Sequence, residues 1–315
     1  MLSTKIHTLV FFFVLMFCFS FQGLSQKLSP IEGRWDLEMK FKGNTVPSWL
    51  EIRYSGHETL VGRFVFAFGS ARPIAEIKIF GDDRFTFSIP RQWEPKGGHM
   101  IFHGQLENDN IKGTMIYTDG SISQWTGTRA PKLVYPENVE WDKPIELFNG
   151  RDLSGWHVDG EKNQWEAENG ILVNPESGSN LITDQKFEDF KLHIEFQYPE
   201  GSNSGIYLRG RYEVQIEDNH GFVPMDIYFG GIYGFLEPNE NAAKPAGEWQ
   251  TYDITLIGRR VTVVANGKTV ISDRTIPGIT GGALDSKEGE PGPIMIQGDH
   301  GPIKFRNIIL TPLRD

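Results

Sequence analysis

Apolar and polar residues alternate with a period of two along most of the chain, and no stretch of three helical turns carries an apolar stripe at 3.6-residue spacing. The sequence therefore predicts an all-β protein. Its clearest strand is Phe190 to Tyr198, where Phe190, Leu192, Ile194, Phe196 and Tyr198 alternate with Lys191, His193, Glu195 and Gln197; one face of it must be core. Two Asn-Gly pairs, Asn169-Gly170 and Asn266-Gly267, separate similar runs. A type I′ turn needs positive φ at both central residues, which asparagine and glycine tolerate, so each pair predicts a tight hairpin. Between residues 29 and 130 the alternation yields eight short strands: Arg34–Phe41, Ser48–Tyr54, Leu60–Phe66, Ala75–Phe80, Arg84–Ile89, His99–Gln105, Asn110–Tyr117 and Gln124–Arg129. They suffice for a small antiparallel barrel or sandwich. The segment Leu133 to Pro144 (LVYPENVEWDKP) breaks the pattern with two prolines and mixed polarity. It marks residues 131–143 as a linker between a 29–130 β-domain and a second domain over 144–315.

The first 25 residues read as an export signal, with Lys5 ahead of an apolar run from Leu9 to Phe21 and small residues at Gly23 and Ser25. The run is too short to cross a bilayer comfortably, so the expected mature chain begins near Gln26 and is secreted or periplasmic, with no membrane span. Cys18 is the only cysteine. Its loss with the leader removes disulfides, thiolate metal sites and cysteine nucleophiles from consideration. With 31 Lys and Arg against 41 Asp and Glu, the formal charge is −10, which repels phosphate backbones and argues against nucleic acid and anionic membrane as partners. Neutral carbohydrate remains acceptable.

Candidate chemistry concentrates in one block. Alternation through Gly205 to Arg209 places Ile206 and Leu208 on one face and Tyr207 and Arg209 on the other; through Arg211 to Glu217 it opposes Tyr212, Val214 and Ile216 to Glu213, Gln215 and Glu217. Adjacent antiparallel strands would then gather Tyr207, Arg209, Glu213 and Gln215 on one polar face. The Arg209 fork, the Gln215 amide and an aromatic ring from Tyr207 or Tyr233 suit a ligand rich in hydroxyls around an apolar ring face. Asp218, Asn219 and His220 follow directly, and Gln297, Asp299 and His300 repeat the pattern beside Gly298 and Gly301. A histidine at His300 can act as an acid or an electrostatic partner near neutral pH. The alternative is a solvated sheet face with ordinary cross-strand ion pairs. His99 and His103 lie four apart on a predicted strand, roughly 13 Å from one another, and cannot share an ion.

From Ile145 onward the chain resembles the 3-keto-disaccharide hydrolase family, which has a concanavalin A-like jelly-roll sandwich. The matching stretches are LFNGRDLSGWHVDG (Leu147 to Gly160), NSGIYLRGRYEVQIEDNHG (Asn203 to Gly221), KPAGEWQTYDI (Lys244 to Ile254), VANGK (Val264 to Lys268) and IMIQGDHGPIKFRNIIL (Ile294 to Leu310). The resemblance implies a glycoside already oxidised at C3, cleaved by removal of the acidified C2 proton, elimination at C1 and addition of water. It assigns Glu213 as base and Arg209 as stabiliser of the enolate, with His300 as an alternative base. Asn203, Tyr207, Gln215, Asp218, Tyr233, Gln297 and Asp299 would bind substrate. Metal dependence stays open: a divalent metal held by carboxylates is an alternative electrophile to Arg209, and no compact ligand motif decides between them. A two-carboxylate glycoside hydrolase is a rival, although its closely spaced acidic pair is missing. A non-catalytic, lectin-like module is the other. Residues 29 to 130 lie outside the resemblance; there Gly33-Arg34-Trp35 is similar only to the opening of lipocalin-like barrels. Every candidate residue lies beyond the linker, so the second domain is expected to hold the whole site.

Overall fold

The protein is described by a computed structural model over residues 29–314, and the expected leader lies outside the described residues. Eight antiparallel strands close into a barrel in chain order. They are β1 (Gly33–Phe41), β2 (Asn44–Ser55), β3 (Thr59–Val65), β4 (Arg72–Phe80), β5 (Arg84–Ile89), β6 (Met100–Glu107), β7 (Asn110–Ile116) and β8 (Ile122–Arg129). Each overlaps one of the runs read from alternation, and β1 pairs with both β2 and β8, which leaves no free edge. Rings fill the interior: the Phe102 centroid lies 4.7 Å from those of both Phe64 and Phe87. Trp35 is fully buried, its indole N–H donates to the Ile31 carbonyl at 2.9 Å, and the Arg129 guanidinium lies 3.8 Å over its ring.

The second half begins with β9 (Ile145–Glu146), β10 (Trp156–Asp159), β11 (Glu166–Glu168), β12 (Ile171–Asn174), β13 (Asn180–Phe187), β14 (Phe190–Gln197) and β15 (Asn203–Leu208). It continues with β16 (Tyr212–Glu217), β17 (Gln250–Ile257), β18 (Arg260–Ala265), β19 (Lys268–Thr275), β20 (Gly292–Ile296) and β21 (Ile303–Pro312). These form a two-sheet sandwich: one sheet in the order β10-β13-β20-β15-β16, the other β11-β12-β21-β14-β17-β18-β19, with β9 paired to β21. Strand β14 buries every second residue as its alternation requires. Both Asn-Gly pairs turn hairpins with positive φ, 51° and 83° at Asn169 and Gly170 and 50° and 79° at Asn266 and Gly267. Ile206, Leu208, Val214 and Ile216 face the sandwich core, which leaves Tyr207 and Glu213 on the opposite side of their sheet. Among the described residues no helix is long and apolar enough to cross a membrane.

The barrel is pressed against the sandwich. Trp49 and Val65 of the barrel belong to the sandwich core cluster, and Trp49 meets Phe235 edge-on at 5.4 Å. Gly278 lies flat on the Trp49 indole, where a Cβ would stand 2.2 Å from the ring. The Gly282 N–H donates to the Ala67 carbonyl at 2.9 Å. A buried polar cluster crosses the same boundary. Glu288 of the sandwich, fully buried, accepts from Arg34 of β1 and from the Tyr212 hydroxyl, the latter at 2.8 Å. Asp36 of β1 shares a hydrogen bond with Glu288, and burial, reinforced by the Glu288 charge, pushes its carboxyl up to about 8.

That shift has a definite sign. Unfolded Asp36 releases its proton near pH 4, whereas the folded carboxyl holds it until about pH 8, so its contribution to stability is complete at low pH and is lost as pH rises between those values. Asp36→Asn, which keeps a donor toward Glu288 and removes the titration, is expected to flatten the decline in melting temperature between pH 5 and pH 8.5. The same slope in wild type and variant would show that this carboxyl does not carry the proton.

Candidate active site

A cleft of about 460 Å³ opens on the outer face of the five-stranded sheet, within the range of sites that hold a small ligand. Its floor is the hairpin β15–β16, where Tyr207 stands opposite Glu213 and Gly205 opposite Gln215 in register. Asn203, Tyr207, Glu213, Gln215, Tyr233, Gln297, Asp299 and His300 all line it. Of the site residues read from sequence, these eight are brought together.

Arg209 and Asp218 are not. The strand ends at Leu208, and Arg209 opens a three-residue turn with φ 53°, so alternation stops one residue before it. Its side chain is 1% exposed and runs to the Gly258 carbonyl and the Tyr212 hydroxyl, at 2.5 and 3.2 Å. It closes the hairpin end, away from the cleft lining. Asp218 ties the loop ends: its carboxylate accepts from Gly201 N–H at 2.9 Å, and its own N–H donates to the Ser202 carbonyl at 3.1 Å.

Glu213 is the centre of the arrangement. It is 3% exposed, and burial first of all raises its carboxyl to about 8, opposed by the Tyr207 hydroxyl and the His300 charge. The Tyr207 oxygen lies 2.9 Å from both Glu213 Oε2 and the Gly281 carbonyl. A phenol has one proton to give. When Glu213 is ionised, Tyr207 donates to it; when Glu213 is protonated, Glu213 can donate to Tyr207, which then donates to Gly281. The pair can take up or release one proton without leaving a buried charge unpaired on either side. The Glu213 N–H is held by Thr280 Oγ1 at 3.0 Å, and its carbonyl accepts from Tyr233 N–H at 3.1 Å, which adds the Tyr233 segment to the sheet edge.

His300 and Asp299 sit on the turn between β20 and β21, half exposed, with Nδ1 2.6 Å from the Asp299 carboxylate. That hydrogen bond, against a smaller effect of burial, raises the imidazole above its ordinary value. His300 is the only cationic side chain in the lining. The turn is fastened by Asn174, buried at 1%, whose amide donates to the Gly298 and Gly301 carbonyls at 3.1 and 2.8 Å. Two amide oxygens in the walls, Gln215 Oε1 and Gln297 Oε1, are buried without a protein donor. Such acceptors are costly unless a bound hydroxyl or water serves them. Among the described residues, no group of three or more His, Cys, Asp or Glu side chains is placed to hold a metal ion.

Sequence reasoning missed Asn180, Gly281, Gly282 and the barrel's Phe68, Gly69 and Trp93, all of which line the cleft. The expectation that the second domain holds the whole site is thus not met. Only the glycines left a signal. Gly205 interrupts an apolar strand, and a Cβ there would stand 2.3 Å from Glu213 Oε1; one at Gly282, where φ is 80°, would meet the Tyr207 oxygen at 2.5 Å.

The chain belongs to the 3-keto-alpha-glucoside-1,2-lyase-like domain family, which it matches over residues 143–311. A 3-keto-disaccharide hydrolase of Bacteroides thetaiotaomicron is 23% identical over 171 residues, 42% of this chain and 59% of that protein; the chain thus spans less than two thirds of that relative's length. Crystal structures of two inferred glycosyl hydrolases from Parabacteroides distasonis are similar at 32% and 26% identity. They cover 57% and 54% of this chain and 93% and 98% of their own, with TM-scores of 0.45 and 0.43.

Gly205→Ala tests the geometry directly. The backbone at Gly205 needs no positive φ, so the variant is expected to keep a cooperative melt at a cost of about 1–3 kcal/mol for overpacking. The added methyl displaces the Glu213 carboxyl toward solvent, and its titration, followed by carboxyl ¹³C NMR, should fall from about 8 toward the ordinary carboxylate range. A titration still at about 8 would mean that the glycine does not shape the pocket.

Proposed function

We propose that the protein cleaves 3-keto-glycosides, with Glu213 as the base that takes the C2 proton. The observation that carries this is the buried Glu213 carboxyl, raised to about 8 and coupled to Tyr207 in the cleft floor. A C–H beside a ketone is a weak acid, and a carboxylate of raised pKa is a better base for it than an ordinary one. The ketone oxygen gathers the negative charge, and His300, charged through Asp299, is the cation available to stabilise it or to protonate the departing oxygen. This is the part first assigned to Arg209.

The proton count closes. Glu213 removes H2, the C1–O bond breaks, and the aglycone oxygen leaves with a proton from His300, giving a C1–C2 enone. Water then adds at C1, its proton returning to His300 while Glu213 returns a proton to C2, so the net reaction is hydrolysis; release of the enone would make it a lyase. Neither step requires an oxocarbenium ion. Asn203, Gln215, Gln297 and Asn180 surround the ring with amides suited to hydroxyls. The same proposal puts this activity outside the cytoplasm, a reading supported by the leader-like first 25 residues.

Glu213→Gln should lower turnover of a 3-keto-glucoside by about 10²–10⁴-fold while binding is kept. In wild type kcat/KM should rise with pH up to about 8 as Glu213 ionises, a limb that the variant lacks. Unoxidised glycosides should be poor substrates. Equal rates on oxidised and unoxidised forms would sink the elimination, and binding without turnover of either would favour a lectin-like module.

A further inference from the structure

The wall contributed by the barrel differs in kind from the floor. The sandwich supplies amides, carboxyls and a histidine; the barrel supplies Phe68, Gly69 and Trp93, with no free polar side chain among them. Trp93 lies on the loop from β5 to β6 and is 68% exposed. An isolated exposed ring is common on protein surfaces. This ring is unusual in being both exposed and fixed.

Both neighbours of Trp93 are anchored. Glu94 is buried and accepts from Arg72 Nη1 at 2.8 Å, and its second oxygen accepts from Gln92 N–H at 2.6 Å. The Gln92 side chain accepts from Ser70 N–H at 3.1 Å and donates to Ser70 Oγ at 2.6 Å. The indole lies beside the Tyr233 hydroxyl across the boundary between the two halves and opposes the rise that burial gives that phenol. One ring edge packs on Gly69, where φ is 83° and a Cβ would stand 3.0 Å from Trp93 Cδ1. A ring fixed along its Gly69 edge and flanked by two anchored neighbours presents its exposed face at little further entropic cost when a ligand binds.

We propose that Trp93, backed by Phe68 and Gly69, is an aglycone subsite that the barrel adds to the family's cleft, and that it takes a leaving group with a flat apolar face. The inference rests on reading the floor as the site for the 3-keto ring; it assigns the specificity for what is attached to that ring. Either an aryl group or the C–H face of a second sugar offers such a surface.

The test compares methyl and phenyl 3-keto-glucosides and a 3-keto-disaccharide as substrates of wild type, Trp93→Ala and Trp93→Phe, each with a thermal melt as the folding control. The preference in kcat/KM for the larger aglycones over methyl should fall about tenfold in Trp93→Ala, mainly through KM, and return in Trp93→Phe. Loss on the phenyl substrate alone identifies an aryl subsite, and loss on the disaccharide alone a sugar subsite. An unchanged preference overturns the proposal. Saturation-transfer NMR with unoxidised phenyl glucoside gives a readout that needs no turnover. If no 3-keto-glycoside is cleaved at all, the functional reading fails, while weaker phenyl contact in Trp93→Ala still supports the subsite and equal contact removes it.

Discussion

One contact organises the site, the hydrogen bond between a buried phenol and a buried carboxyl. Tyr207 and Glu213 can meet only because the positions around them lack side chains: Gly205 makes room for the carboxyl, and Gly282 for the phenol. A carboxyl removed from water in this way would be a liability in an ordinary sheet face, since it either keeps its proton or needs a partner. Here a single hydroxyl, placed between Glu213 and the Gly281 carbonyl, serves both protonation states. The strand register that puts Tyr207 opposite Glu213 therefore sets the protonation of the cleft floor as well as the fold.

The same contact explains why the barrel matters. Gly281 and Gly282 belong to a segment that is fixed from both sides: Thr280 bonds to the hairpin through Glu213 and Arg211, and Gly282 donates to the barrel's Ala67. Moving the barrel would move the carbonyl that partners Tyr207. The Trp49 contact and the Arg34, Asp36 and Glu288 cluster hold the two halves in that position. The half of the chain that matches the family carries Tyr207, Glu213 and His300, and the other half braces the Tyr207 partner and walls the cleft.

Much of this was legible in the sequence wherever the governing interaction is local. Period-two alternation placed the barrel strands and β14, the Asn-Gly pairs gave their hairpins, and alternation on both sides of one turn brought Tyr207, Glu213 and Gln215 to one face. It failed at Arg209 because a turn residue no longer obeys the pleat, and Asp218, read from its place after the strand, ties its carboxylate to the Gly201 N–H instead of the cleft. Trp93 and Phe68 were invisible because they reach the site through packing between halves far apart in the chain, and no short-range pattern encodes such a contact. Asn174 gave no signal either; its role is to fasten a turn more than a hundred residues away.

The central claim is that Glu213 removes the C2 proton before the glycosidic bond breaks, and solvent exchange measures it most directly. Cleavage of a 3-keto-glucoside in D₂O, followed by ¹H NMR and corrected for exchange without enzyme, should give 3-keto-glucose carrying solvent deuterium at C2, with a slowed rate when the substrate is labelled with deuterium there. The Glu213→Gln protein should catalyse neither exchange nor cleavage. Product that retains its original C2 hydrogen, formed at a rate indifferent to that label, would contradict the elimination and return the cleft to direct hydrolysis at C1.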